Sequence, residues 1–243
     1  MNVLGVIPSR YGSTRFPGKP LVEIDGKSMV QRVYEQAKKC ELLNDIVVAT
    51  DDQRIFDHVI SFGGKAVMTS DQHESGTDRC DEVLTKMKDD YDVVINIQGD
   101  EPYIDPAQIE QLCQCFFDPK TDIATLIKKI DSLDDLWSEN KVKAVVNKQQ
   151  IAMYFSRNPI PFLKGEPKEN WLNKQVFYKH IGIYGYRTET LMQITQLTVS
   201  SLEKAEGLEQ LRWLENGFVI KTAETKIEAI SIDAPADLKK LKQ

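Results

Sequence analysis

Two hydrophobic rhythms divide the chain. Short apolar runs at residues 2–7, 46–50, 65–69 and 93–97 predict strands, with a further one over 124–130. Between them, residues 28–39, 52–62, 76–88 and 106–117 carry apolar positions at helical spacing, and Gly63-Gly64 ends the second of these helices. This strand–helix alternation predicts a mostly parallel sheet with right-handed crossovers. The second half reads differently. Residues 143–147 and 152–157 read as extended, partly antiparallel segments, and the polar, proline-containing stretch 158–174 as a loop. Helices are expected over 188–197 and 201–215, strands over 218–224 and 227–232, and a last helix over 235–241.

Composition narrows the class. A chain of 243 residues with 41% hydrophobic positions can bury a sizeable core, as one α/β domain with an insertion or as two small domains. Net charge is −6 and pI about 5.3, which speaks against nucleic-acid binding. The sequence has no run of 18 apolar residues to span a membrane, and its first residues enter a strand without a cationic leader. Cys40, Cys80, Cys113 and Cys115 have neither CxxC nor metal-site spacing and read as reduced thiols of a cytoplasmic protein.

The candidate chemistry begins where the first strand ends. After Pro8, a loop sets Arg10, Arg15 and Lys19 among Gly12, Ser13, Thr14 and Gly18. Small residues let backbone N–H groups approach an anion, and a basic loop after a strand of an α/β sheet is where nucleotide phosphates bind. The loop is neither a Walker A motif nor G-x-G-x-x-G. After the strand at 93–97 come Gln98, Gly99, Asp100, Glu101 and Pro102. A carboxylate at that strand end suits either a metal or an Asx-turn cap, so Asp100 is open between them. Asp233 is open between a metal ligand and a helix N-cap. Ser75 to Arg79 reads locally as a helix N-cap. Asp51 and Asp52 read as caps of the helix after them, and His58 and His73 as surface residues.

The loop closely resembles the signature of the sugar-activating cytidylyltransferases. Further matching segments follow in that family's order: VATDD (48–52), SGTDR (75–79), NIQGDEP (96–102), YFSRNPIP (154–161), YKHIGIYGYR (178–187), LEQLRWLENG (208–217) and SIDAPADL (231–238). They span nearly the whole chain. Phe16 stands where the family often has Leu, and Gly185 where it often has Ala. YFSRNPIP and KHIGIYGYR favour the octulosonate branch, with neuraminic acid and 8-amino octulosonate as alternative acceptors. A glycosyltransferase would carry a D-x-D motif that QGDEP lacks, and a non-catalytic nucleotide sensor has no need of both metal carboxylates and a basic loop.

The resemblance implies a Rossmann-like three-layer α/β/α nucleotidyltransferase fold, one domain over 1–243, with a smaller antiparallel sugar-binding and dimerisation region roughly over 140–215. It implies CTP and 3-deoxy-manno-octulosonate (Kdo) as substrates, Mg2+ as cofactor, pyrophosphate as product, a place in lipopolysaccharide synthesis, and a homodimer. Lys19 and Asp100 are the implied catalytic residues, and Asp100 and Asp233 the implied metal ligands. Pro8, Arg10, Arg15, Lys19, Ser75, Arg79 and Gln98 would hold the nucleotide. Gln98, Arg157, His180, Tyr184, Glu209 and Gln210 would hold the sugar, whose carboxylate matches an arginine fork.

Overall fold

The computed structural model describes residues 1–12, 16–87, 89–228 and 230–242, the last four of these by their backbone. In chain order the first elements are β1 (Val3–Pro8), β2 (Glu23–Ile24), β3 (Lys27–Ser28), α1 (Met29–Ala37), β4 (Asp45–Thr50) and α2 (Gln53–Ser61). Then come β5 (Ala66–Met68), α3 (Gly76–Lys86), β6 (Val93–Asn96), α4 (Pro106–Cys115), β7 (Ile123–Lys129), α5 (Leu133–Trp137), β8 (Lys143–Val146) and β9 (Ala152–Ser156). The chain continues through α6 (Trp171–Lys174), β10 (Tyr178–Arg187), α7 (Thr188–Ile194), α8 (Ser201–Glu206), α9 (Gln210–Glu215) and β11 (Ile220–Glu224). A 3-10 helix over Pro235–Lys242 follows.

Two compact units divide these elements. The first holds Met1–Gln114, Ile183–Thr195 and Ala229–Gln243. Its strands run in the order β6-β1-β4-β5, all parallel, and the end of β10 pairs antiparallel with β6. Val3, Leu4, Val6, Ile7, Val93, Val94 and Ile95 are fully buried, so the apolar runs fold as central strands. Asp25 (φ 47°) and Gly26 (φ 76°) turn β2 into β3, the two left-handed residues a tight hairpin requires. Hydrophobic periodicity did not predict this hairpin; the Asp-Gly pair is its signal.

The second unit holds Cys115–Gly182 and Gln196–Glu228. There β11 and β7 pair in parallel, and β8 pairs antiparallel with both β9 and the start of β10. The 158–174 stretch contains the short helix α6 as well as loop, and its Trp171 joins Ile130, Leu136 and Phe177 in a core. The mixed α/β class, the mostly parallel sheet and an antiparallel region in the second half agree with the sequence expectation.

Two expected elements are corrected. The helix expected over 201–215 is broken at Gly207, whose left-handed backbone (φ 62°) ends α8. Across the break, Glu203 accepts from the Arg212 guanidinium at 2.6 and 2.7 Å. No strand forms over the described residues of 227–232. Thr225 Oγ1 accepts from the Ile227 amide, and Glu228 is drawn into ion pairs with Lys179 (2.7 Å), Lys141 (3.1 Å) and Lys128 (3.3 Å). Burial alone would raise the Glu228 carboxyl, but the Lys179 and Lys141 ammonium groups bring it down to about 2.

Candidate active site

Lys19 is placed by its neighbours in sequence. Gly18 adopts φ 70°, and Pro20, with its φ fixed by the ring, is the second residue of a 3-10 turn over Lys19–Leu21. The Gly18 amide closes the loop on the Tyr11 carbonyl at 3.0 Å. Lys19 Nζ then donates to Asp100 Oδ2 at 2.9 Å and to the Ile232 carbonyl at 3.0 Å, with Asp233 Oδ1 at 4.0 Å. The Ile232 amide donates to the Asp100 carbonyl at 2.9 Å. Residues from three distant stretches thus meet at one ammonium group. Asp237 accepts from the Asp233 and Ala234 amides, and the Asp233 carboxylate lies 4.0 Å from the Lys19 ammonium.

The ends of β1 and β6 approach closely. A Cβ on Gly99 would lie 2.7 Å from the Pro8 carbonyl oxygen, and one on Gly76 would lie 3.3 Å from both Pro8 Cγ and Asn96 Nδ2. Gln98, half-buried, follows the end of β6. Ser75 caps α3 in a reciprocal capping box with Asp78. Pro8, Ser75, Gln98, Asp100, Lys19 and Asp233 therefore all belong to the first unit, at or near its strand ends.

Beside them opens a cleft of about 370 Å³, lined by Arg10, Tyr11, Gly12, Asp51, Asp52, Asp71, His73 and Arg79. Arg79 is only 3% exposed; its guanidinium donates to Thr69 Oγ1 (2.7 Å), the Ser70 carbonyl (3.2 Å) and the Asp51 carboxylate. Asp52 alone caps α2, accepting from the Arg54 amide and guanidinium. Asp51 is the residue that the capping reading missed, and its signal was a second carboxylate at a strand end where one suffices to cap. The Arg54 guanidinium lies 3.4 Å over the Tyr11 ring, and the Tyr11 ring in turn packs against Gly18. His73 pairs with Glu82 at 2.5 Å, and His58 shares a 2.7 Å hydrogen bond with Ser28 Oγ, so neither is an unengaged surface group. Burial would raise the Glu82 carboxyl, yet Lys86, the Ser70 amide and His73 draw it down to about 2. Arg15 lies outside the described residues.

The remaining expected residues are distributed over both units. In the second, Arg157 Nε donates to the Glu206 carbonyl (2.6 Å), Nη1 to Glu139 (3.1 Å) and Nη2 to Gly207 (3.3 Å). The guanidinium thereby caps the C-terminal carbonyls of α8. His180 shares a 2.9 Å hydrogen bond with Thr125 Oγ1 and meets Phe155 edge to face, and burial pushes its pKa down to about 4. Glu209 stands at the start of α9, and Gln210 is buried with its Nε2 unpartnered among the described residues. Tyr184, in the first unit, stacks on Tyr186.

A parallel sheet whose strand ends gather a basic loop and paired carboxylates defines an α/β fold of the nucleotidyltransferase type. The solved structure of a CMP:2-keto-3-deoxy-manno-octonic acid synthetase complexed with CTP matches it with a TM-score of 0.92 and 45% identity, covering 100% of this chain and 97% of that one. The chain belongs to the cytidylyltransferase family, whose profile matches residues 4–228. It is 55% identical to a 3-deoxy-manno-octulosonate cytidylyltransferase of Parabacteroides distasonis, across 99% of this chain and 96% of that protein. Identity is also 55% to one of Bacteroides thetaiotaomicron, across 98% and 96%. No helix among the described residues is long and apolar enough to cross a membrane.

Proposed function

We propose that the protein transfers CMP from CTP to Kdo, giving CMP-Kdo and pyrophosphate, and so activates Kdo for lipopolysaccharide synthesis. The relatives named above support the reaction. The observation that carries the assignment of residues is the meeting of Lys19, Asp100 and Asp233 beside the basic loop.

In this reading Arg10, Arg15 and Lys19 bind the triphosphate and then the leaving pyrophosphate, where fixed charges stabilise phosphoryl transfer. The Pro8 carbonyl and Arg79 face the cytosine, with Ser75 and Gln98 beside the nucleoside. Arg157 pairs with the sugar carboxylate, and Gln98, His180, Tyr184, Glu209 and Gln210 orient the sugar so that its C2 hydroxyl is in line with the α-phosphorus. His180 acts as a neutral hydrogen-bonding group, because its pKa of about 4 keeps it uncharged near pH 7.

The donor set at Lys19 fits a divalent cation. Mg2+ takes one or two protein carboxylates and fills the rest of its octahedron with phosphate oxygens and water. Asp100 Oδ2 and Asp233 Oδ1 both lie within 4.0 Å of one cationic group. When bound, Mg2+ would withdraw charge from the α-phosphate and acidify the attacking hydroxyl. Lys19, already between the two carboxylates, keeps them convergent and supplies positive charge to the same phosphates. The family likeness alone supports a cytoplasmic homodimer with the 140–215 region on its sugar side; sedimentation velocity tests the dimer.

The direct test is pyrophosphate release with CTP and Mg2+, supplying Kdo, its 8-amino analogue and N-acetylneuraminate in turn. Release with Kdo is expected. Release with none of the three, despite CTP binding, would refute the transferase reading.

A further inference from the structure

Asn96 is the last residue of β6, and its backbone lies in register with Val6 of β1 and Tyr184 of β10. Its side chain is therefore the part that needs a partner. The residue is 6% exposed, and its Oδ1 is buried with no hydrogen-bond partner among the described residues. Buried polar groups are nearly always satisfied, so an orphaned acceptor at a strand end is a signal. The amide lies against the first residue of α3. A Cβ built on Gly76 would stand 3.3 Å from Asn96 Nδ2, 3.6 Å from Oδ1 and 3.3 Å from Pro8 Cγ. Glycine at position 76 is what allows the helix start, Pro8 and Asn96 to crowd together.

We infer that Asn96 is a nucleoside-binding residue whose Oδ1 accepts a hydrogen bond from a ribose hydroxyl of CTP. The inference rests on the cytidylyltransferase reading above and adds a residue to it. An acceptor repels phosphate oxygens, so its ligand must bring a donor. CTP offers donors at the exocyclic amine and at the ribose hydroxyls. In the proposed site the Pro8 carbonyl takes the amine, and the triphosphate belongs to the loop that follows Pro8. The ribose joins these two parts, and Asn96 and Pro8 both crowd the Gly76 position.

Calorimetric binding of CTP, 2′-deoxy-CTP, 3′-deoxy-CTP and UTP to the full chain, in Mg2+, tests this for the wild type and Asn96→Leu. Leucine fills the space without an acceptor, and a melting curve checks that the variant folds. Wild type is expected to lose about tenfold in affinity for at least one deoxy analogue, the loss that goes with leaving a buried acceptor unpaired. Asn96→Leu should bind CTP about tenfold more weakly, bind that analogue as wild type does, and keep the wild-type CTP/UTP ratio. Equal weakening of all four nucleotides, or a collapse of the CTP/UTP ratio with ribose discrimination intact, would overturn the inference. Wild type treating CTP and both deoxy analogues alike would overturn it without any variant. Wild type failing to bind CTP would instead overturn the cytidylyltransferase reading, and this inference with it.

Discussion

Gly99→Ala adds one methyl group at the point where β1 and β6 come together. That carbon would stand 2.7 Å from the Pro8 carbonyl oxygen and 3.2 Å from Ser9 Oγ, whereas ordinary contact begins near 3.4 Å. The obstacle is backbone, which cannot swing aside as a long side chain would, so the two strand ends must part. Pro8 leads into the basic loop and Gly99 immediately precedes Asp100. The movement therefore separates the proposed phosphate ligands from the proposed metal ligand. Misplacement on the order of 1 Å costs on the order of 100-fold in rate, and the shift here is somewhat smaller, so kcat/KM should fall roughly 10- to 100-fold. Overpacking of this kind also costs roughly 1–3 kcal/mol, a fall in Tm of roughly 2–10 °C for a chain of this size. Steady-state pyrophosphate release, with CTP and Kdo each varied, reads the first number, and a thermal melt the second. Gly182→Ala is the control, since nothing lies within 4 Å of a Cβ there. A Gly99→Ala enzyme within twofold of wild type would refute the claim that this contact sets the geometry of the site.

Three further outcomes are expected. Asp100→Asn should lower turnover by roughly two orders of magnitude or more at saturating Mg2+, since a group that stabilises transition-state charge is lost; near-normal turnover would remove Asp100 from catalysis. Arg157→Ala should raise the KM for Kdo far more than that for CTP, and equal changes would show that its grip on α8 is its whole role. His180 has a native pKa of about 4 against 6.5 for an ordinary histidine. Between those values the unfolded chain binds a proton that the native protein does not, so stability falls as pH drops from 6.5 to 4. In His180→Gln the melting temperature should fall less steeply over that interval, and parallel curves for the two proteins would refute the assignment.

The parts of this molecule visible in its sequence are those governed by local pattern. Unbroken apolar runs such as VVINI became buried strands because burial on both faces leaves no polar alternative. The misread parts depend on contacts made at long range. IEAISI alternates like a strand, but Glu228 within it is held by Lys128, Lys141 and Lys179, none of which lies near it in sequence. Ser201 to Glu215 is periodic like one helix, yet Gly207 supplies a left-handed stop that periodicity does not register. The Asp-Gly turn at 25–26 was written plainly in the chain, in a code of backbone angles and not of hydrophobicity. At the site, sequence separated Asp51 and Asp52 poorly. Both follow the same strand and line the cleft, and only the position of Arg79, 28 residues after Asp51, decides which of them it pairs with.

Lys19 and the Ile232 carbonyl that accepts its hydrogen bond lie 213 residues apart. Ile232 also packs with Ile24 and Met29, joined by Phe16 and Leu238. At ribosomal speeds of 5–20 residues per second, Lys19 emerges roughly 10–40 s before its last partner is even made. A part made early is thus completed by one made late, and a nascent polypeptide carries the proposed phosphate loop without the partners that hold Lys19. The same arithmetic applies to damage: a single cut that frees the final segment would return a finished enzyme to that unripe state, with most of its fold still standing.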